Sequence, residues 1–325
     1  MLNKRRFLAA ALGVTWGATA LAASGVAYAA EKAPDEVRIG FQKASVSIVA
    51  RQSGAIEKRL KALGVQNVKW VEFQFGPPLL EALGAGAIDF GAVGDTPPVF
   101  AQAAGAKVVY AAVSPASKHA ILVKNDSPIK SVADLRGKRV GIPKGSSAHN
   151  LTVQALAANG LKFSDIQPVY LSPSDGVAAF ARGSIDAFAV WDPFFALVEL
   201  KQGGRPLTGL EKLPPTNAFY LANREFAEKH PQQLKAALEE IGKITDWAGA
   251  NRQAVAEASQ KATGIDAEGN RRAIDRAEYS LRPLTEVEVK QQQKVADAFF
   301  ELGLIPRQIT ISEAVWTPPQ QKAGR

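Results

Sequence analysis

The chain has 325 residues, a formal net charge of +8 and 46% hydrophobic residues. This length and apolar content are sufficient for the cores of two domains and are not typical of a disordered protein. Basic and acidic residues are interleaved, as in residues 225–243, instead of being gathered in one stretch, which argues against a nucleic-acid partner.

The first 29 residues have the three parts of a secretory signal peptide: basic residues 4–6, the apolar run 7–26 and the small-residue cleavage signature Ala27-Tyr28-Ala29. We predict cleavage after Ala29 and a periplasmic location. Lys4 replaces the first arginine of a twin-arginine signal, so the Sec and twin-arginine routes both stay open. A membrane anchor is a less favoured alternative because the stretch is rich in Ala, Gly and Thr. Cleavage would remove three basic side chains and lower the formal net charge from +8 to +5.

The chain has no cysteine, and its single methionine is the initiator. It therefore has no disulfide, no thiol nucleophile and no cysteine-ligated metal. The cleaved chain would contain no sulfur atom, which favours a protein made in quantity when a cell is short of sulfur. Codon bias and chance stay open as alternative explanations.

Strand and helix patterns alternate from Val37 to about Thr208, which predicts an α/β protein with mostly parallel sheets flanked by helices. The predicted elements of the first set are strand 37–41, helix 48–63, strand 68–75, helix 79–84, a strand in 86–94, helix 97–104 and strand 107–113. The second set is strand 120–124, short helix 132–135, strand 139–142, helix 147–159, a strand near Val169 and a strand in 183–191. Residues 225–302 are predicted to be helical, with stops at Gly264, Gly269 and Pro283.

Two lobes are predicted from these sets. Lobe 1 comprises residues 30–115 and 217–325, lobe 2 comprises residues 116–216, and the chain crosses between them near 114–119 and 215–220. We expect a ligand cleft between the lobes that closes by a hinge motion at the crossings.

One phrase occurs twice, first in residues 86–97 and again in residues 183–193. Each copy has the pattern of a buried strand that runs into an aspartate and a proline, Asp95 with Pro97 and Asp192 with Pro193. Because helix N-termini bind anions, two such helix starts facing each other would form a clamp for a small polar ligand. The alternative is that the repeat reflects only the strand-turn-helix units of any α/β domain.

The segment 144–150 follows a strand and opens a helix with Gly145, Ser146 and Ser147 at the cap positions. Its backbone N–H groups and two hydroxyls would bind a tetrahedral oxyanion without a positive charge. A plain capping box is the alternative.

Asp95 and Asp192 are predicted to cap their own helices, which would use the N–H groups there and repel an anion. The anionic head should therefore lie nearest Ser146 and Ser147. Thr96 and Trp191 are then better placed for the uncharged part of a ligand, although Trp191 as ordinary core is an equal alternative.

Gln42 follows the first strand, where its amide could enter the mouth of the cleft. His149 is one of three histidines, none of which has metal-ligand spacing, so we expect no metal and no cofactor. Ser146 with His149 lacks the strained elbow of a serine nucleophile, and we expect a binding protein, not an enzyme.

Several phrases together resemble the aliphatic sulfonate-binding proteins of the nitrate, sulfonate and taurine-binding family. They are Arg38-Ile-Gly-Phe-Gln-Lys43, Gly94-Asp-Thr-Pro-Pro98, Ser127-Pro-Ile-Lys130, Lys144-Gly-Ser-Ser-Ala-His-Asn150 and Trp191-Asp-Pro193. The resemblance implies a two-lobed type II periplasmic-binding fold. It also implies an alkanesulfonate ligand that is delivered to the permease of an ABC importer.

The resemblance places seven residues at the ligand cleft: Gln42, Asp95, Thr96, Ser146, Ser147, His149 and Trp191. We add their neighbours in these motifs to the predicted ligand-binding residues, namely Gly94, Gly145, Asn150 and Asp192. It also implies a monomer that docks transiently on its permease and binds no nucleic acid. Taurine, nitrate, a sulfate ester or a pyrimidine precursor stay open as ligands, and an enzyme on this fold is a less favoured alternative. A regulator would need a helix-turn-helix segment, for which the first 35 residues leave no room.

Overall fold

The computed structural model describes residues 32–43, 46–207, 210 and 213–318, so the predicted signal peptide lies outside the described residues. The strands are β1 (Glu36–Gln42), β2 (Asn67–Phe73), β3 (Phe90–Gly94), β4 (Val108–Pro115), β5 (His119–Lys124), β6 (Arg139–Ile142), β7 (Gln167–Tyr170), β8 (Ala187–Trp191), β9 (Gly204–Pro206) and β10 (Asn217–Asn223). The helices are α1 (Val46–Ser53), α2 (Ala55–Lys61), α3 (Gly76–Gly84), α4 (Thr96–Ala103), α5 (Ser147–Ala158), α6 (Pro173–Ala181), α7 (Phe194–Lys201), α8 (Arg224–Lys229), α9 (Pro231–Ala250), α10 (Arg252–Thr263), α11 (Ala267–Arg276) and α12 (Glu286–Glu301).

The strands form two five-stranded sheets with the same plan. The first has the order β2-β1-β3-β10-β4 and the second β7-β6-β8-β5-β9. In the first sheet β1 is parallel to β2 and β3, while β10 is antiparallel to β3 and β4. In the second sheet β6 is parallel to β7 and β8, while β5 is antiparallel to β8 and β9. Each sheet is therefore mixed, with one strand opposed to the other four, and the predicted α/β class is confirmed.

Helices cover both faces of each sheet. The first sheet contributes to two apolar clusters, one with α3, α4 and α12 and the other with α1, α2 and α9. The second sheet lies between a cluster containing α5 and a cluster containing α6 and α7. Parallel strands buried on both faces produce the near-continuous apolar runs from which the strands are predicted.

The internal repeat corresponds to one local structure built twice. Asp89 accepts hydrogen bonds from the main-chain N–H of Arg38 and from its guanidinium, both at 2.6 Å. In the second sheet Asp186 accepts the same two bonds from Arg139, at 2.8 Å and 2.7 Å. The first aspartate of each copy thus joins the turn before one strand, β3 or β8, to the parallel strand beside it, β1 or β6.

In each sheet a glycine makes room for the isoleucine that occupies the same position in the two copies of the repeat. A Cβ at Gly40 would lie 2.3 Å from Cδ1 of Ile88, and a Cβ at Gly141 would lie 2.5 Å from Cδ1 of Ile185. These close contacts fix the turn before β3 and the turn before β8 against their neighbouring strands.

Some predicted boundaries are wrong for identifiable reasons. The single helix predicted over 48–63 is two helices, because Gly54 takes a left-handed conformation with φ of 63°. The stop at Gly264 is confirmed, with φ of 70° at the end of α10. Gly269 instead lies in the first turn of α11, where its N–H is bound by the side chain of Asp266. Helix α6 and strand β9 were not predicted. No helix in the described part of the chain is long and apolar enough to cross a membrane.

Candidate functional site

A cavity of about 150 Å³ lies between residues of the two sheets. The residues that line it are Gln42, Val46, Ser47, Gly76, Ala92, Val93, Gly94, Pro97, Ser114, Pro115, Ala116, Ser117, His119, Ser146, Ser147, Trp191, Ala218, Tyr220, Thr245, Ala277, Glu278, Tyr279 and Ser280. This volume is small beside the roughly 300–1,000 Å³ of sites that take drug-sized ligands. The lining contains neither Lys nor Arg, so an anion here would be bound by hydrogen-bond donors.

Five of the predicted site residues line this cavity: Gln42, Gly94, Ser146, Ser147 and Trp191. The side-chain amide of Gln42 donates to the carbonyl of Ala92 at 3.0 Å, which fixes it against the wall formed by β3. Trp191 both lines the cavity and packs against the apolar clusters on the two faces of the second sheet. The two interpretations of Trp191 are thus compatible.

Ser146 and Ser147 lie at the start of α5 but differ in their hydrogen bonding. The Ser146 hydroxyl donates to the carbonyl of Pro143 at 2.6 Å, so its proton is already used. Within the described residues the Ser147 hydroxyl forms no hydrogen bond. The N–H groups of Ser147 and Ala148 occupy the first turn, where a helix offers them no carbonyl partner. Ser147 therefore brings a hydroxyl without a partner in the described part of the chain to the cavity lining, at the N-terminus of α5.

The end of β3 and the start of α5 approach each other closely at this point. A Cβ at Gly94, on β3, would lie 1.9 Å from Oγ of Ser147 and 3.1 Å from its Cβ. Glycine is thus required at this position for the start of α5 to reach the end of β3.

Asp95 does not cap α4, so that prediction is wrong. A capping side chain accepts from the second or third N–H of the helix, and these positions are Pro97 and Pro98, which have none. The carboxylate instead accepts hydrogen bonds from Asn150 at 2.7 Å and from Thr96 at 2.8 Å. All three side chains are buried and none lines the cavity. They join the two sheets behind the cavity wall.

Asp192 lies one residue before the N-cap of α7, which is Pro193, and not at the cap itself. Its Oδ1 nevertheless accepts the N–H of Ala196, in the first turn of α7, at 3.0 Å. It is also 3.6 Å from Nη1 of Arg276, on α11. Burial raises the pKa of Asp192 to about 6, an effect larger than the opposing influence of Arg276. Asp192 lies at a second cavity of about 40 Å³ and not at the larger one.

Gly145 and His149 also lie outside the lining of the larger cavity. The N–H of Gly145, which has a φ of 71°, donates to Nδ1 of His149 at 3.2 Å. The imidazole is enclosed by the rings of Phe100, Phe163 and Phe299. Burial, with a smaller effect of Lys144, lowers the pKa of His149 to about 4, so the ring is neutral at pH 7. His149 therefore holds the turn before α5.

Several polar lining residues were not among the predicted ones: Ser47, Ser114, Ser117, His119, Tyr220, Thr245, Glu278, Tyr279 and Ser280. Ser114, Ser117, His119 and Tyr220 lie in the two predicted crossings, and a cleft between lobes is lined by its crossings. Their position in the predicted crossings was therefore a signal in the sequence that these four residues line the cavity. Thr245 on α9 and residues 278–280 after α11 carry no such signal, because only tertiary packing brings these helices to the cavity.

Two buried polar atoms of the lining have no partner among the described residues, Nδ1 of His119 and Oη of Tyr279. Burial lowers the pKa of His119, which keeps its imidazole neutral. No group of three or more His, Asp or Glu that could hold a metal ion occurs within the described ranges. The polar groups are suited to hydrogen bonding with a small solute.

Two mixed sheets with a solute-sized cavity between them define the class of two-lobed binding proteins. The fold matches the alkanesulfonate-binding protein SsuA of Xanthomonas axonopodis pv. citri, solved with bound MOPS, with a TM-score of 0.82 and 38% identity over 87% of this chain and 98% of that one. The periplasmic aliphatic sulphonate binding protein of Escherichia coli gives a TM-score of 0.80 at 40% identity, over 90% and 95% of the two chains. The two-lobed type II periplasmic-binding fold is thereby confirmed.

Residues 71–254 match the family model described as NMT1/THI5 like. The chain belongs to the NMT1/THI5-like family. It is 41% identical to the aliphatic sulfonates-binding protein of Escherichia coli (strain K12) over 92% of this chain and 94% of that protein. The resemblance stated from the sequence motifs is confirmed, and so is the expectation of a binding protein in place of an enzyme, because these relatives are binding proteins.

Proposed function

We propose that the chain is the periplasmic solute-binding component of an ABC importer and that it captures an alkanesulfonate in the cavity between its two sheets. The relatives supply the ligand class, since the similar proteins of Escherichia coli and Xanthomonas axonopodis pv. citri are named for sulfonates. The observation that carries the proposal is the contrast among three helix starts. The start of α5 faces the cavity with free donors, whereas Asp95 and Asp192 at the other two are engaged in protein contacts.

In this proposal the sulfonate oxygens accept from the Ser147 hydroxyl and from the first N–H groups of α5. A helix N-terminus carries about half a positive charge, which suits a monovalent anion in a cavity without Lys or Arg. The aliphatic part lies against Trp191 and Tyr220. The other predicted site residues do not line the cavity and act by holding the residues that touch the ligand. They are Asp95, Thr96, Asn150, Gly145, His149 and Asp192.

We further propose that the lobes follow the sheets, with residues 30–115 and 217–325 in lobe 1 and residues 116–216 in lobe 2. Sheet membership supports this division, because β1–β4 and β10 form one sheet and β5–β9 the other. The chain would act as a monomer that closes on its ligand and docks on a membrane permease. The predicted signal peptide would deliver it to the periplasm.

The assignment of the sulfonate to α5 is tested by calorimetric titration with ethanesulfonate. Ser147→Ala removes a hydrogen bond to a charged group, worth about 1.5–3 kcal/mol, so the dissociation constant should rise about 10- to 150-fold. Thr96→Ala is the matched control, because it removes a buried hydroxyl that does not line the cavity. Ser146→Ala should have a smaller effect than Ser147→Ala, because its hydroxyl already donates to Pro143. A larger loss from Thr96→Ala than from Ser147→Ala would contradict the assignment.

A further inference from the structure

The lining of the larger cavity contains a single acidic residue, Glu278, and neither Lys nor Arg. Glu278 lies between α11 and α12, in the short segment Ala277–Ser280 that reaches the cavity. Within the described residues its carboxylate forms neither an ion pair nor a hydrogen bond. A lone carboxylate beside an anion would weaken binding, because the two charges repel each other.

The position of Glu278 is fixed by its neighbours in sequence. Two residues earlier, Arg276 forms an ion pair with Glu199 on α7 and covers the ring of Phe195 at 4.1 Å. One residue later, Tyr279 lies beneath the guanidinium of Arg252 at 5.0 Å. Both arginines are thus occupied by other groups, and the backbone that carries Glu278 is held on both sides.

Exposure shows which end of the cavity Glu278 occupies. Among the lining residues Glu278 and Ser280 are exposed, whereas Ser146 and Ser147 are buried. The donors of α5 therefore lie at the inner end and the carboxylate at the mouth. The two ends of the cavity thus differ in charge: the N-terminus of α5 carries a partial positive charge at the inner end, and Glu278 carries a full negative charge at the mouth.

Aromatic rings also contribute to the cavity lining. Trp191 and Tyr220 line the cavity, and no Lys or Arg of the described residues covers either ring. An organic cation is stabilised by the face of such a ring and by a carboxylate. The imidazole of His119 lies beside Trp191, with the ring centroids 6.1 Å apart, but burial lowers its pKa and so favours the uncharged ring. Two aromatic rings, one carboxylate and no Lys or Arg are a suitable environment for an ammonium group.

From this pattern we infer that Glu278 is a specificity-determining residue that selects zwitterionic sulfonates, those that carry an ammonium group at the end remote from the sulfonate. The inference rests on the proposed function, since it takes the sulfonate to be bound at α5. In this inference Glu278, at the mouth of the cavity, recognises the ammonium group, whereas an unsubstituted alkyl chain offers it no charged partner.

The test compares two ligands of the same shape, 3-aminopropane-1-sulfonate and butane-1-sulfonate, which differ by an ammonium in place of a methyl group. Each is titrated calorimetrically into the purified chain, and the ratio of the two dissociation constants is recorded. Glu278→Gln should reduce the preference for the amino compound by about twofold to fivefold, the range of an exposed ion pair. Glu301→Gln is the matched control, because it removes an exposed carboxylate remote from the cavity lining and should leave the ratio unchanged.

The outcomes separate this inference from the proposed function. If the unaltered chain binds butane-1-sulfonate but shows no preference for the amino compound, the inference is overturned and the proposed function stands. If Glu278→Gln leaves the ratio unchanged, or if Glu301→Gln lowers it equally, the inference is also overturned. If neither sulfonate binds, both fail. Retained binding of butane-1-sulfonate by Glu278→Gln shows that the variant is folded.

Discussion

Gly94→Ala should weaken ligand binding while leaving the unliganded protein folded. A methyl group at Gly94 would lie 1.9 Å from Oγ of Ser147, well inside ordinary contact distance. If Ser147 rotates away, its hydroxyl leaves the cavity, and its Cβ still lies only 3.1 Å from the new methyl group. Overpacking of this kind costs about 1–3 kcal/mol, which corresponds to a loss of affinity of about 5- to 150-fold.

This cost should fall on the liganded state because β3 belongs to the first sheet while α5 packs on the second, and the proposed hinge would let the two lobes separate when no ligand is bound. The assay is calorimetric titration with ethanesulfonate, accompanied by a thermal melt without ligand. We expect an unliganded melting temperature within about 2 °C of the original, since a strand position accepts alanine. The single variant Ser147→Ala and the double variant complete a double-mutant cycle, in which the two losses should be less than additive. An unchanged affinity for Gly94→Ala, or strictly additive losses, would refute the role of this contact.

Two further predictions concern stability. The pKa of His149, about 4 in the folded chain, lies below its unfolded value of 6.5, so the unfolded state takes up the proton first as the pH falls. The contribution of His149 to the free energy of unfolding should therefore drop by about 3 kcal/mol between pH 6.5 and pH 4. In urea titrations the original chain should lose about this much more stability over the range than His149→Gln, while His119 and Asp192 titrate alike in both proteins. A slope that the substitution leaves intact would contradict this account of the buried ring. Asp89→Asn should cost about 2 kcal/mol and Asp186→Asn about 1 kcal/mol or less, because the Asp89 side chain is 8% exposed and that of Asp186 is 31% exposed. Equal losses in urea-induced unfolding would show that burial does not distinguish the two Arg–Asp pairs.

The strand-turn-helix pattern was sufficient to predict the α/β class. The return of the chain to lobe 1 stays a prediction, and strand β10, which joins the first sheet after residue 216, was not predicted. Apolar runs with period two or 3.6 are local signals, so most elements of residues 37–208 are found near their predicted places. Gly54 divides a predicted helix because periodicity alone does not report a left-handed residue. Helix α6 was missed although its start carries a local signal, because Ser172 caps the helix and Pro173 is its first residue.

The candidate site was predicted in part. Glycine and hydroxyl residues at the start of a helix pointed to Ser146 and Ser147, which line the cavity, and to Gly145, which does not. A sequence does not show that the Ser146 hydroxyl already donates to Pro143. The capping role predicted for Asp95 ignored the two prolines that follow it. The contributions of Thr245 and Glu278 depend on the packing of α9 and α11 against distant elements. Such contacts have no signature within a short window of sequence.

The central claim is that the cavity between the two sheets takes a sulfonate. The most direct measurement is calorimetric titration of the purified chain, stripped of ligand, with ethanesulfonate, octanesulfonate, taurine, sulfate and nitrate. We predict 1:1 binding of the sulfonates, with sulfate and nitrate weaker because they lack a group to occupy the aromatic part of the cavity. Tightest binding of nitrate or sulfate, or no binding by any member of the panel, would contradict the claim.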